Sequence, residues 1–143
     1  MTTLRTLAAA SLAIALLAGA APAFAGNLSS FHVQGFNNDV DGSQTGFGNE
    51  LSQFVDGSDN DLKTGNAGDD NSIVSGVFGD DNGEDIAQRG NRDAFGAVLH
   101  DGAQVFGRQT GDDNTTGIIA GAGCLVSTSV DGSGNTVLAS CGQ

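Results

Sequence analysis

"GDDNSIVSGVFGDDN", residues 68–82, holds the tetrapeptide Gly-Asp-Asp-Asn twice, at Gly68–Asn71 and Gly79–Asn82, 11 residues apart. Between the copies lie seven residues, Ser72–Phe78, too few for a globular helix and rich in β-branched and aromatic side chains. Gly, Asp and Asn tolerate the left-handed backbone that tight turns need, so the stretch reads as turn, strand, turn.

The same register runs through the chain. Gly falls at 35, 46, 57, 68, 79 and 90, and three residues after each comes Asn38, Asn49, Asn60, Asn71, Asn82 or Asp93. It slips by one residue near Asp101–Ala103 and resumes at Gly111-Asp-Asp-Asn114, Gly121-Ala-Gly-Cys124 and Gly132-Ser-Gly-Asn135. An 11-residue period also suits a right-handed helical coil. A Gly in every repeat costs a helix about 1 kcal/mol each, with Asn and Asp beside it, so the strand reading is preferred.

Residues two apart share one face of a strand. Counting from each Asn gives three inward columns. Val40, Leu51, Leu62, Ile73 and Phe95 form the first, with Glu84 as its exception; Gly42, Gln53, Thr64, Ser75, Ile86 and Ala97 form the second. The third alternates between two sets, Gln44, Asn66 and Gln88 against Val33, Val55, Val77 and Leu99, and Gln109 extends the first set past the slip. The true unit is therefore 22 residues with two unequal strands.

Stacking such units sets equivalent residues about 4.8 Å apart. Gln44, Asn66, Gln88 and Gln109 are then expected to form an amide ladder. Val33, Val55, Val77 and Leu99 form an aliphatic ladder opposite. Gly46, Gly48, Asn49, Gly57, Asn60, Gly68, Asn71, Gly79, Asn82, Gly90, Gly111 and Asn114 are assigned to the turns. The expected fold is all-β: a β-solenoid of about five coils, near 35–56, 57–78, 79–100, 101–120 and 121–142, that stacks as cross-β amyloid.

Residues 1–25 are set aside. Arg5, the apolar run Leu7–Ala20 and Ala23-Phe24-Ala25 have the form of a secretory signal peptide, with a run too short to span a bilayer. The remainder, 26–143, is one domain. It contains all 17 acidic residues and only Lys63, Arg89, Arg92 and Arg108 as cations, a formal charge of −13. Such a surface repels nucleic acid and anionic lipid, so neither binding to nucleic acid nor membrane insertion is expected.

Gln44-Thr-Gly46-Phe-Gly48-Asn49-Glu-Leu51 resembles the core of the curlin repeat, Gln-x-Gly-x-Gly-Asn-x-Ala, of curli amyloid subunits. Gln88-Arg-Gly90-Asn-Arg-Asp93-Ala-Phe95 and Gln109-Thr-Gly111-Asp-Asp-Asn114 are looser copies. The likeness covers about 27–120 well and 121–143 weakly. Asn38 stands where the family has its leading Ser, Leu51 in the Ala slot and Val55 in the trailing Gln slot. The resemblance implies a secreted subunit of an extracellular, cell-surface fibre (a fimbrium) serving biofilm matrix and adhesion. Its implied partners are further copies of itself, an outer-membrane secretion pore, and a nucleator or major subunit. No cofactor is implied.

The alternative reading is a calcium-stabilised monomeric β-solenoid adhesin or ligand-binding module. Carboxylate oxygens of Asp70 and Asp113 are the candidate ligands, as in Asp-rich β-rolls. Those rolls, however, repeat every nine residues, and Arg92 lies between the two acids in the 22-residue stack, which reads as charge offset. Cys124 and Cys141, in an exported chain, are expected to form a disulfide fastening the last coil. His32 and His100 are expected at solvated strand ends. No nucleophile–base or metal-ligand spacing points to an enzyme.

Overall fold

The computed structural model describes residues 26–142, so the expected signal peptide lies outside the described residues. Eleven strands follow one another with four-residue turns or close variants: β1 (Leu28–Gln34), β2 (Asp39–Thr45), β3 (Glu50–Asp56), β4 (Asp61–Ala67), β5 (Ser72–Phe78), β6 (Gly83–Arg89), β7 (Ala94–His100), β8 (Gln104–Thr110), β9 (Thr115–Ala120), β10 (Leu125–Asp131) and β11 (Thr136–Cys141). Odd strands form a six-stranded parallel sheet in the order β1-β3-β5-β7-β9-β11. Even strands form a five-stranded parallel sheet, β10-β8-β6-β4-β2. The chain is an all-β, two-sheet β-solenoid of about five turns.

Each strand pairs with the next but one. Glu50 is opposite Ser72 and Ser72 opposite Ala94, a step of 22 residues. From Gly83 opposite Gln104 and Ala94 opposite Thr115 onward the step is 21. The lost residue falls in the turn at Asp101–Ala103, so both sheets stay in register.

The seven-residue strands alternate inside and out. β5 buries Ile73, Ser75 and Val77, and β4 buries Leu62, Thr64 and Asn66. Between the sheets, Leu51, Leu62, Ile73, Phe95, Val105, Val55, Val77 and Leu99 pack into one core. The aliphatic column pairs Val33 with Val55, Val55 with Val77 and Val77 with Leu99. Burial is complete only in the middle coils: Val33 and Val40 near one end, and Ala139 and Cys141 at the other, are half-buried.

The two outer faces differ. That of the five-stranded sheet carries Asp39, Asp41, Asp61, Lys63, Asp85, Arg89, Arg108 and Asp131, all exposed. That of the six-stranded sheet is largely apolar, with Phe54, Val74, Phe78, Ile119 and Leu138 exposed around a groove of about 690 Å³.

Turns stack as tightly as strands. The backbone N–H of Gly68 donates to Thr45 O at 3.0 Å, and that of Asp70 to Phe47 O at 2.8 Å. The third turn position is left-handed, as at Asp70 (φ 57°), Asp81 (φ 59°) and Arg92 (φ 58°). The leading glycine is fixed twice over. Gly68 has φ +126°, and a Cβ there would lie 1.8 Å from Gly90 O in the next turn. Gly96, on the outer face of β7, would have nothing within 4 Å of its Cβ.

These two glycines give opposite expectations. Gly68→Ala should destabilise the fold by about 2 kcal/mol or more, the scale of strained backbone and a core clash. Gly96→Ala should be neutral or slightly stabilising, because it restricts the unfolded chain without a clash. Denaturant midpoints of freshly prepared monomer check both; equal losses would show that the turn column is not close-packed.

Candidate functional site: the inner ladders and open ends

The fourth turn residue decides how the coils are tied. Asn49, Asn60, Asn71, Asn82 and Asn114 are nearly inaccessible despite lying in turns, because their side chains point inward along the solenoid ends. In each, Oδ1 accepts a backbone N–H from the following coil. Asn71 N donates to Asn49 Oδ1 at 3.0 Å, Asp93 N to Asn71 Oδ1 at 3.0 Å and Asn135 N to Asn114 Oδ1 at 3.1 Å. In four of the five, Nδ2 donates to the leading glycine carbonyl of that coil, as from Asn49 to Gly68 O at 2.8 Å, Asn60 to Gly79 O at 3.1 Å and Asn71 to Gly90 O at 2.9 Å, whereas Asn82 Nδ2 donates to Asn60 Oδ1 and Phe78 O. One amide thus satisfies a buried donor and a buried acceptor that the turn leaves outside the strand pairing.

The column before the even strands runs through Asn38, Asn60 and Asn82 and ends where Asn82 Oδ1 accepts Ala103 N at 3.0 Å. Cys124 occupies the next place in that column. It is disulfide-bonded to Cys141 across the last coil, with a Cα–Cα distance of 6.0 Å. A covalent tie stands there in place of the missing amide.

The glutamine column is a second polar line inside the core. Asn66, Gln88 and Gln109 are buried. The Gln88 amide is held between Asn66 Oδ1 and Gln109 Oε1, each 2.6 Å from one of its terminal atoms. Gln109 Nε2 also reaches Thr116 Oγ1 at 2.8 Å and Ala94 O at 3.2 Å. Gln44, in the half-buried end coil, turns instead to β1, donating to Leu28 O at 3.2 Å and accepting from Ser29 Oγ at 3.1 Å. Its pairing with Asn66 is one of backbone register.

Two acids break the pattern, both in the coil 79–100. Glu84 sits in the inward column between Leu62 and Val105, 3 % exposed. Its carboxyl accepts from Ser75 Oγ and from Gln53 Nε2, the latter at 3.4 Å. Burial pushes its pKa up to about 7, partly offset by these two hydrogen bonds. Asp93 takes an asparagine place in the turn ladder. Its Oδ1 accepts from Asn114 N at 2.9 Å, but its Oδ2 is buried without a partner where other coils present Nδ2 to a carbonyl. Burial raises its pKa first; Asp112 and Asp113 nearby add to this, against the lowering effect of the Asn114 hydrogen bonds.

Outside, Arg92 grips Asp113 through two parallel bonds, Nε to Oδ1 at 2.6 Å and Nη2 to Oδ2 at 2.8 Å. That fork holds the Asp113 carboxyl below its ordinary range. Asp70 lies one coil away in the same turn column, and Asp113 is engaged by the guanidinium. Among the described residues no group of three or more His, Cys, Asp or Glu side chains is placed to hold a metal ion.

Sequence periodicity places the columns but treats the fourth turn residue only as a turn former. The overlooked signal lies in the alternation of Asp and Asn: the second and third places take Asp freely, whereas the last place takes Asn in seven of the ten turns between strands. A turn needs only a short polar side chain; a ladder needs the N–H that Asp lacks. A second feature absent from the sequence reading is the aromatic row on the six-stranded sheet. His32 stacks on Phe54 at 5.1 Å, Phe54 lies 5.6 Å from Phe78, and Phe78 stacks on His100 at 5.5 Å. Both histidines are solvent-exposed and each caps one end of the row.

No family model, curated protein or solved structure matches this chain.

The two acids predict opposite mutational outcomes from ordinary core carboxylates. Since the Glu84 pKa is raised on folding, stability is highest below the unfolded value of 4.5 and falls as pH rises through about 7. A shift of that size corresponds to at most about 3 kcal/mol. Glu84→Gln should remove most of this slope in denaturant midpoints taken between pH 5 and 8; an unchanged slope would assign it to general surface repulsion. Asp93→Asn restores the missing donor and should stabilise by about 1 kcal/mol at neutral pH, a thermal shift of a few degrees. A loss of stability would show that the Asp93 carboxylate is satisfied.

Proposed function

We propose that this chain is a secreted structural subunit that self-assembles end to end into curli-like extracellular amyloid fibres, serving biofilm matrix and surface adhesion. The observation that carries this reading is the state of the solenoid's two ends. At one end β1 and β2, and at the other β10 and β11, each have one unpaired edge. Behind those edges the inward residues of β1, β2 and β11 are half-buried or exposed, on β10 Thr128 is half-buried while Val126 and Val130 are covered, and no helix or loop among the described residues lies across the edges. Unpaired parallel edges backed by an open core template a further strand.

The chemistry of the columns favours the same partner. The turn column ends at Asn135, whose Oδ1 has no following coil to accept from, and a further copy presents the backbone N–H that this place takes in the earlier coils. The acidic outer surface keeps free subunits apart in solution, where an axial contact is short and backbone-driven. The Cys124–Cys141 bridge suits an exported chain, and the curlin-like Gln-x-Gly-x-Gly-Asn run at Gln44–Asn49 points to the same class of fibre. The secretion pore and a nucleator or major subunit belong to the proposal as the partners that the resemblance implies.

The decisive experiment uses residues 26–143 at micromolar concentration. Thioflavin-positive fibres with a meridional reflection near about 4.8 Å, and a lag shortened several-fold by preformed fibres, are the expected results. A chain that stays monomeric over days with intact β-structure overturns the reading.

A further inference from the structure

Building on that end-to-end reading, we infer that successive subunits are related by a half-turn about the fibre axis, so that the six-stranded sheet of one copy continues into the five-stranded sheet of the next.

The heights of the strands decide how two ends can meet. Gln109 on β8 reaches both Ala94 O on β7 and Thr116 Oγ1 on β9. The Gln88 amide on β6 likewise lies 3.2 Å from Ser72 O on β5 and 3.2 Å from Phe95 N on β7. Each even strand is therefore level with the space between two successive odd strands. At the C-terminal end β11 stands half a rung beyond β10, and at the N-terminal end β1 stands half a rung beyond β2. Both ends are stepped, and the protruding strand belongs to the six-stranded sheet at both.

Placed without rotation, the two protruding strands meet, and β10 of one copy is left two rungs from β2 of the next. That separation is about 9.6 Å, twice the spacing of paired strands, and leaves unpaired backbone facing an open core in every junction. A half-turn removes the conflict. β1 of the next copy drops onto β10, and β2 of the next copy settles on β11, each one rung away. The rotation exchanges the faces and reverses strand direction together. Since the two sheets of a solenoid run oppositely, parallel pairing is kept.

Side chains agree with this placement. By register, Val33 of the next copy covers Val130 and Val40 of the next copy covers Val137, apolar on apolar, while Gln44 of the next copy lies over Cys141 with its amide already held by Leu28 O and Ser29 Oγ of its own copy. Asn38 of the next copy stands over Asn135, and its backbone N–H can serve the Asn135 Oδ1 as each lower coil serves its neighbour. The contact is heterologous and does not close, so it propagates as a filament. One consequence concerns the fibre surface. The apolar face around Phe54, Phe78 and Leu138 alternates sides with the charged face from copy to copy, so no continuous apolar stripe runs along the fibre to fuse it with others.

Oxidative cross-linking in assembled fibres tests the rotation. In the half-turn arrangement Ser30 of one copy is beside Ser127 of its neighbour; without rotation it is beside Leu138. Fibres of a Ser30→Cys, Ser127→Cys chain should yield a covalent ladder of dimers and higher species on a denaturing gel. Fibres of a Ser30→Cys, Leu138→Cys chain should remain monomeric. The pairs His32→Cys with Ser129→Cys and His32→Cys with Ser140→Cys repeat the comparison one position along, should either first pair fail to assemble. The reverse pattern, or fibres that give neither ladder, overturns the half-turn while leaving the polymer reading intact. A parent chain that forms no fibre at all overturns both.

Discussion

The structure depends on a single inward-turned amide. At most turns a backbone N–H and a glycine carbonyl point along the solenoid axis, beyond the reach of the strand ladder. The fourth residue's carboxamide satisfies both from one side chain, with Oδ1 and Nδ2 each at hydrogen-bond distance, as Asn71 does with Asp93 N and Gly90 O. That bond fixes the height of one coil over the next to the length of one amide. It requires the leading glycine, since a Cβ at Gly46 would lie 1.9 Å from Gly68 O. The Gly column and the Asn column are thus two halves of one device, and their fixed offset of three residues is its signature.

With the coils tied at their turns, the interior can carry polar groups that a globular core would reject. Gln53, Asn66, Gln88 and Gln109 are buried, and most find a partner one rung away because the repeat brings like to like. Glu84 is the departure, a carboxyl set in an aliphatic column with only Ser75 and Gln53 to receive it. No other titratable side chain faces it: the neighbouring inward residues of β3, β4, β5, β7 and β8 are Leu51, Leu62, Ile73, Phe95 and Val105 and the polar or small residues in line with them. Its proton affinity is therefore set by burial rather than by a charge partner. Together with Asp93 in the ladder of the same coil, it gives the middle of the solenoid a preference for mild acid.

The ends of the solenoid carry the functional argument. A stack of identical coils has no internal reason to stop, and nothing among the described residues shields the edges of β1, β2, β10 and β11. The disulfide at Cys124–Cys141 closes the last coil upon itself without covering those edges. It replaces an amide that the column lacks at Ala103 and Cys124, so the final coil is held together covalently where the hydrogen-bonded tie runs out. A solenoid built this way is internally firm and axially unsaturated, the combination that the proposed end-to-end fibre requires.

Much of this was legible in the sequence, because a period of 22 with inward steps of two is a one-dimensional statement about a nearly one-dimensional fold. The strands, the inward columns, the one-residue slip at Asp101–Ala103 and the opposition of Val33, Val55, Val77 and Leu99 to the glutamine set all follow from counting. Three things did not follow. Whether a turn asparagine points out to solvent or in along the axis depends on the backbone approach of the next coil, 22 residues away. Whether Gln44 joins the amide column depends on Ser29 Oγ of β1, which engages its Oε1, since its Nε2 bond to Leu28 O is the one that Asn66 makes to Glu50 O and Gln109 to Ala94 O. The half-rung offset between the sheets, which makes both ends stepped, is a property of winding in three dimensions. The sequence by itself determined what repeats; only the tertiary structure decided which atoms the repeat brings within reach, because hydrogen bonds discriminate at tenths of an ångström and a period does not.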